Sequence, residues 1–270
     1  MTGDPPAGDA MTAASVAEIC VAACAQAWRG DGAILASPMG LIPSLGARLA
    51  RLTFAPQLLV TDGEAMLIAP AGSDGPGGPA SPPGGERDDV TEGWLPYRDV
   101  LRLVAAGRRH MMMGAAQLDR YGNQNISCIG DWAHPKAQLL GVRGAPGNTV
   151  NHPVSYWIPR HSRRVFVGRV DLVCGIGYDR AAALPGRGAA FHELRLVITD
   201  KAVLDFATPD HRMRLRSVHP GVSVSQVQDL TGFELAAARQ VPVTPVPGPR
   251  ELALIRERLD PAGLRERELA

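Results

Sequence analysis

The sequence predicts an α/β protein, an open and mostly parallel sheet covered by helices. Three observations predict it. Short apolar runs alternate with stretches whose apolar residues recur at three- and four-residue spacing, the pattern of parallel strands joined by crossover helices. Several of those runs end abruptly in Gly, Asn, Asp or Gln, the residues of loops at strand ends, where open α/β sheets bind their ligands. With 45% apolar and 20% charged residues, the 270-residue chain also has the composition of a globular protein able to bury a large core.

The elements follow in order. Residues 14–29, ASVAEICVAACAQAWR, repeat apolar groups at helical spacing and turn Ile19, Ala23 and Ala27 inward, and Gly30-Asp31-Gly32 stops the helix. Residues 33–36 read as a buried strand, 43–52 as a second helix, and 57–61 as the next strand, which ends at Asp62-Gly63-Glu64. Residues 70–89, PAGSDGPGGPASPPGGERDD, hold too much Pro and Gly to bury the apolar surface that would offset ordering, so a mobile loop is expected. Strand and helix alternate on both sides of it, so residues 13–270 are expected to form a single domain behind a disordered 1–12. Further on, 99–106 reads as a helix and 110–115 and 138–141 as strands. RRVFVGRVDLVCGIGYD (163–179) also reads as strand, and ELRLVIT (193–199) and AVLDFA (202–207) as a hairpin turned at Asp200-Lys201. The terminal PRELALIRERLDPAGLRERELA alternates charge with Leu and Ile, giving a helix pair split at Asp260-Pro261.

Composition excludes several functions. A net charge of +1 leaves no electrostatic footprint for a nucleic acid or a membrane surface. The four cysteines, Cys20, Cys24, Cys128 and Cys174, show neither a disulfide framework nor metal-ligand spacing, so structural thiols in a reduced cytoplasm are expected, with no metal. The first twelve residues lack a basic start, and the helix after them is too short and broken to span a bilayer. No phosphate-binding G-x-x-x-x-G-K, no G-x-G-x-x-G and no H-E-x-x-H is present. His110, His134, His161, His192, His211 and His219 are scattered over loops and strand edges with no nucleophile motif beside them, and read as structural.

The chemistry is expected where apolar runs end. Four such places are polar or glycine-rich: SPMGLIPS (37–44), TDGEA (61–65), GAAQLDRYGNQNIS (114–127) and GVRGAPGNTVNHP (141–153). Their recurrence at successive strand ends points to one shared cleft. The last stretch offers the permissive Gly141, Gly144, Gly147 and Asn148 around Arg143, with Asn151 and His152 following. Backbone N–H groups freed by glycine can approach a ligand closely and build an oxyanion hole, and a plain irregular loop reads equally well from these residues alone.

GAAQLDRYGNQNIS resembles the signature of the class I CoA-transferase family, in the beta subunit of the glutaconate CoA-transferase type, where Gly-Ala-x-Gln-x-Asp-x-x-Gly-Asn-x-Asn follows a central strand. GARLARLTFAPQLLVTDGEA, GVRGAPGNTVNH and VDLVCGIGYD extend the likeness over roughly residues 14–235. The resemblance implies the open sheet shared by CoA-transferases and sugar-phosphate isomerases. It implies a homologous alpha subunit, in an alpha2beta2 heterotetramer, with the active site between the chains. It implies an acyl-CoA thioester substrate and no cofactor, CoA entering with the substrate. Met39, Gln117, Asn123, Arg143, Gly144, Gly147, Asn148 and Asn151 are then the substrate-binding candidates.

One departure bears on the reaction. Transferases of the family place a nucleophilic glutamate just after the strand that follows the Ala-Pro pair. Here that position falls on Gly63, one residue before Glu64, and a one-residue offset turns a side chain to the opposite face. The resemblance therefore implies a hydrolase branch of the family, which breaks a ring carbon–carbon bond of a cyclic β-keto acyl-CoA in steroid (cholesterol) degradation. Glu64 is its catalytic candidate in this chain, and the principal carboxylate is expected in the partner. A true CoA-transferase and a non-catalytic partner subunit remain the alternatives. The helix-pair terminus and Ser155-Tyr156-Trp157 are expected to supply apolar surface for the partner.

Overall fold

The computed structural model describes residues 13–62, 66–69 and 91–269; the expected disordered 1–12, the expected mobile loop 70–89 and Glu64 lie outside the described residues. In chain order the first half runs α1 (Val16–Gln26), β1 (Leu35–Pro38), α2 (Leu41–Thr53), β2 (Leu59–Val60), β3 (Met66–Ile68), β4 (Thr91–Trp94), α3 (Tyr97–Ala105), β5 (Arg109–Met113), β6 (Gln117–Leu118), β7 (Gln124–Asn125), β8 (Cys128–Gly130) and β9 (Pro135–Gln138). The second half runs α4 (Ala145–Asn151), β10 (Pro153–Ile158), α5 (Tyr178–Ala181), β11 (Glu193–Thr199), β12 (Ala202–Asp205), β13 (Arg214–Val218), α6 (Val224–Asp229), β14 (Ala236–Ala237), α7 (Pro249–Ala253) and α8 (Leu264–Leu269).

Eight strands form one mixed sheet in the order β14-β13-β12-β11-β10-β5-β1-β2. The run β11-β10-β5-β1-β2 is parallel throughout, and β12 joins β11 as the antiparallel arm of the expected hairpin. Three two-stranded ribbons, β3-β4, β6-β7 and β8-β9, stand outside it.

The helix read over 14–29 forms as α1, opened by a capping box in which Ser15 and Glu18 satisfy each other's backbone N–H. It buries every residue from Ala17 to Ala25, because α2, α8 and the sheet contact it from different sides. Gly46 sets the spacing to α2: a Cβ there would lie 2.7 Å from the Cys24 Cβ. The two faces of the sheet carry separate cores. One holds α1, α2, Met112, Trp157, Ile198 and Ile255; the other holds Met111, Met113, Tyr156, Phe166, Val197 and Leu204. A bulge in β11 pairs Val154 with Leu194 but Tyr156 with Val197, so residues three apart share the second core.

Three expectations need correction. The run at 138–141 is not a sheet strand: β9 lies earlier, in the ribbon with β8, and Leu140 is exposed, since the apolar run covers nothing. The stretch 163–179 forms no strand: it makes isolated bridges, Phe166 with Leu118 and Gly175 with Gln124, and then enters α5 at Tyr178, because its backbone groups are taken up one by one alongside the β6-β7 ribbon. Ser155-Tyr156-Trp157 is not contact surface. It lies in β10, buried between β5 and β11 with a core on each face, a setting that removes the alternation by which a strand is read. The terminal helix pair is present. Beyond α7 the chain widens into π-helical turns over Leu254–Leu259 before it breaks at Asp260-Pro261.

That terminus is held by a buried acid. The Glu18 carboxylate accepts from Arg256 Nε at 2.7 Å, from Arg256 Nη2 at 2.8 Å, from Arg265 Nη2 at 2.8 Å and from the Ser15 N–H at 2.9 Å. Burial by itself would raise its pKa, but the hydrogen bond from Arg256 and the two positive charges hold it down to about 2. Glu18→Gln should destabilise the fold by about 3 kcal/mol in denaturant unfolding, because Arg265 is left buried with one counter-ion fewer.

Burial also holds His152 and His161 down to a pKa of about 4. The unfolded chain takes up those protons near pH 6.5, so the stability they contribute is complete above that pH and lost as pH falls toward 4. The melting temperature should therefore drop between pH 7 and pH 5, and His161→Gln should flatten the drop. Glu18 acts in a lower window, from its ordinary value down to about 2.

Candidate active site

The chain leaves β5 at Met113 and folds the signature stretch into the β6-β7 ribbon, where its amides are consumed as scaffold. Asp119 accepts from the N–H groups of Tyr121 and Asn123, both at 3.0 Å. Asn123 donates through Nδ2 to Asp119 and to Asp179, both at 2.9 Å, and accepts the Gly177 N–H at 2.8 Å. Gln117 Oε1 accepts from Asn125 at 2.8 Å and from the Asp171 N–H at 2.9 Å, and its Nε2 donates to Asp171 at 3.0 Å. Burial raises the Asp119 pKa against those donors. Gly177 is required here, since a Cβ would sit 2.3 Å from the Tyr121 carbonyl oxygen. A recess of about 220 Å³ lies beside this turn, lined by Asp119, Tyr121, Asn123, Arg169 and Asp179 among others.

The stretch 141–153 becomes a turn, the short α4, and the start of β10. Its left-handed positions are Gly141 (φ 84°) and the exposed Arg143 (φ 50°). Gly144 and Gly147 have ordinary φ values; a Cβ at Gly147 would have room, with Asn151 Nδ2 nearest at 3.9 Å, while one at Gly144 would press on Asn148 Nδ2 at 3.3 Å. Asn151 donates to the Gly147 carbonyl at 2.7 Å. Asn148 lies across the carboxyl half of β5, with Nδ2 2.9 Å from Met111 Sδ and 3.5 Å from Met113 Sδ, and Oδ1 3.3 Å from His152 Nε2. Thr149 ties α4 to the loop before α5 by accepting the Ile176 N–H at 3.0 Å.

The other two stretches meet at the ends of β1 and β2. Met39 is half exposed and donates its N–H to the Met112 carbonyl at 2.9 Å. Thr61 Oγ1 reaches Ser37 Oγ at 3.5 Å, and Arg109 Nε donates to the same Ser37 Oγ at 2.8 Å. Segments 37–39, 61 and 111–117 therefore converge, with Asn148 above them. The catalytic candidate Glu64 falls three residues beyond Thr61, outside the described residues.

The sequence reading passed over two groups. Arg109 opens β5 and shares a face with Met111 and Met113; the period-two rule applied to RHMMM would have flagged a cation among buried positions. His110, read as a loop or strand-edge residue, stands in the middle of the sheet between β1 and β10. Its Nδ1 is 2.8 Å from Asp31 and its Nε2 3.0 Å from Ser155 Oγ, the order of an acid, a base and a hydroxyl. Ser155 and His110 are fully buried under Trp28 on the α1 side of the sheet, so the line serves as a buried tie between strands. Asp31 also pairs with Arg195. No cluster of metal-ligating side chains occurs among the described residues.

The coenzyme A transferase family model matches residues 100–230, the span that holds β5, the β6-β7 ribbon and α4. The chain is 48% identical over 263 residues to the cholesterol ring-cleaving hydrolase IpdB subunit of Rhodococcus jostii (strain RHA1), covering 97% of this chain and 99% of that one. It is 31% identical over 254 residues to one of the subunits of the 3-oxoadipate CoA-transferase of Pseudomonas knackmussii, covering 91% and 94%. Among solved structures, that of Rhodococcus jostii RHA1 IpdAB superposes with a TM-score of 0.86 at 49% identity, over 96% of this chain and 100% of the other. A mixed sheet whose parallel strands end in the Gly-Ala-x-Gln-x-Asp ribbon, with near-full-length identity on both sides of it, places this chain in the coenzyme A transferase family.

Proposed function

We propose that this chain is the beta subunit of a heteromeric hydrolase that cleaves a ring carbon–carbon bond of a cyclic β-keto acyl-CoA in steroid degradation. The observation that carries the reading is the contrast in identity, 48% to the ring-cleaving hydrolase subunit against 31% to the transferase subunit, over nearly the same span. The Gly63-Glu64 offset from the transferase pattern supports it. No helix among the described residues is long and apolar enough to cross a membrane, and all four cysteines are free and buried, which supports a reduced cytoplasmic setting.

In this reaction water adds to the ring ketone. The carbon–carbon bond to the α-carbon then breaks, and its electron pair passes into an enolate delocalised over the thioester. Protonation of that carbanion gives an opened ring with a new carboxylate and an intact thioester. The protein must position water and a proton-transferring carboxylate, and must face the enolate with N–H donors or a cation. Gly144, Gly147, Asn148 and Asn151 around α4 offer such donors, Met39 an apolar wall, and Gln117 and Asn123 the scaffold behind them. Glu64 assists, with the principal carboxylate supplied by the alpha subunit.

Two features support a site shared between chains in an alpha2beta2 assembly. A recess of about 220 Å³ is small for a CoA thioester, since pockets for drug-sized ligands run to roughly 300–1,000 Å³. Trp94, Tyr97 and Leu101, at 68%, 66% and 59% exposure, form an apolar stripe on and beside α3. Leu101→Arg should weaken association with the alpha subunit at least tenfold in sedimentation while leaving this chain's own melting unchanged. Undiminished association would move the interface elsewhere.

The transferase alternative requires covalent CoA on Glu64. With the co-expressed alpha subunit in water labelled with heavy oxygen, a ring-opened acid should carry the label, and Glu64→Gln should slow that reaction without abolishing it. A CoA adduct on Glu64 in intact-mass measurement would restore the transferase reading. A non-catalytic partner subunit would give no turnover even with the alpha subunit present.

A further inference from the structure

Three arginines line the recess beside the signature turn: Arg120 within the turn, Arg169 in the loop beyond the Phe166 bridge, and Arg180 in α5. None has a hydrogen bond or an ion pair among the described residues, and Arg120 has only the Phe233 ring, 6.0 Å from its guanidinium carbon. Arginines elsewhere that stand beside an acid pair with it, as Arg214 does with Asp205 and as Arg256 and Arg265 do with Glu18. Asp119 and Asp179 line this same recess and are not paired in that way. Asn123 and two backbone N–H groups have taken both oxygens of Asp119 and one of Asp179 instead. A guanidinium on Asp119 would lower its pKa, whereas burial, with the Asp179 charge, raises it.

Position and lining define what the space accepts. The turn that walls it lies toward the amino ends of the parallel strands, packed on the second residue of β11: a Cβ on Gly122 would sit 2.4 Å from Leu194 Cδ1. Beside the turn, Tyr178 donates its O–H to the Leu194 carbonyl at 2.9 Å and accepts the Leu194 N–H at 3.0 Å. Arg169, Asp179 and Arg180 are exposed, so the recess opens to solvent. Gly168 keeps one wall free of a side chain, Val170 and Val173 supply an apolar one, and the Tyr121 hydroxyl has no partner among the described residues. Three positive charges against two acids already bonded leave the space cationic. Forked donors from three separate segments suit an anion with three terminal oxygens and close to two charges better than a planar carboxylate with two oxygens and one charge. A volume of about 220 Å³ and the valine wall leave room for part of the organic group that such a phosphate esterifies.

We propose that this recess binds a phosphate monoester, held by Arg120, Arg169 and Arg180 together with the Tyr121 hydroxyl. Two sources carry that group: a free phosphate ester, or the ribose phosphate at the nucleotide end of a CoA thioester. The second source rests on reading the chain as half of an acyl-CoA enzyme, and the first does not.

The test is calorimetry on the intact complex with the alpha subunit, using inorganic phosphate, adenosine 3′,5′-bisphosphate and, as a carboxylate control, malonate. Both phosphates should bind the wild type about tenfold or more tightly than malonate does. Arg169→Gln combined with Arg180→Gln should weaken phosphate binding by about 10- to 100-fold and malonate binding little. The matching Lys pair should recover part of the loss, and melting should not change, since both side chains are exposed. Equal binding of phosphate and malonate, or equal phosphate binding by wild type and the Gln pair, would overturn the proposal. The source is read from kcat/KM on a β-keto acyl-CoA and its 3′-dephospho form. A preference for the phosphorylated thioester that the Gln pair loses, mostly through KM, assigns the recess to the substrate's nucleotide end. Equal use of the two thioesters, with phosphate still bound through the arginines, assigns it to a free ester. A complex inactive on every acyl-CoA yet binding phosphate through the arginines would sink the hydrolase reading and keep the site. Should the Gln pair separate the subunits while the Lys pair restores assembly without phosphate binding, the arginines belong to the subunit contact and the proposal fails.

Discussion

The structure turns on the requirement that a buried amide or carboxylate be matched by a partner, and Asn123 shows how that requirement ties distant turns together. One side chain joins two aspartates and a backbone N–H that come from turns far apart in sequence. Without it, Asp119 and Asp179 would face each other with no donor between them, and Gly177 would keep an unpaired N–H. Through this joint the irregular stretch after β10 is pinned to the ribbon after β5. The polar residues of the signature are therefore a framework that holds a cleft open, and their burial explains why a strand end that reads as ligand-binding contains so few free groups.

The same logic distributes charge over the sheet. On the α1 side the buried ions are compensated: Glu18 binds the terminal helix pair, and Asp31 links His110 to Arg195. Histidines on both sides stay neutral because burial outweighs the partners that would charge them. On the α4 side Arg109 stands without an acid beside it among the described residues. This uncompensated cation stands on the face onto which α4 brings Asn148.

Much of the fold was legible because local physics decides it. The apolar spacing of α1 and α2, the turn at Asp200-Lys201 and the break at Asp260-Pro261 each act over a few residues, so each could be read where it stands. β10 was not legible. Both of its faces are covered and it lies between strands brought in from positions 111 and 194, so its residues show no alternation. The stretch 163–179 failed for the opposite reason, since its valines imitate a strand while its hydrogen bonds go to a ribbon some fifty residues earlier.

By itself the sequence determined the class of fold, the order of most of its helices and strands, and the family likeness in GAAQLDRYGNQNIS. Those depend on spacing and residue type. Only the tertiary structure decided which polar groups are spent and which are spare. Gln117 and Asn123 looked available and are consumed, Ser155-Tyr156-Trp157 looked exposed and is core, and Arg109, which the sequence reading passed over, is a buried cation without a counter-ion among the described residues. The physical reason is that hydrogen bonding and desolvation are settled between residues tens of positions apart, and no local pattern along a chain records whether a distant partner will arrive.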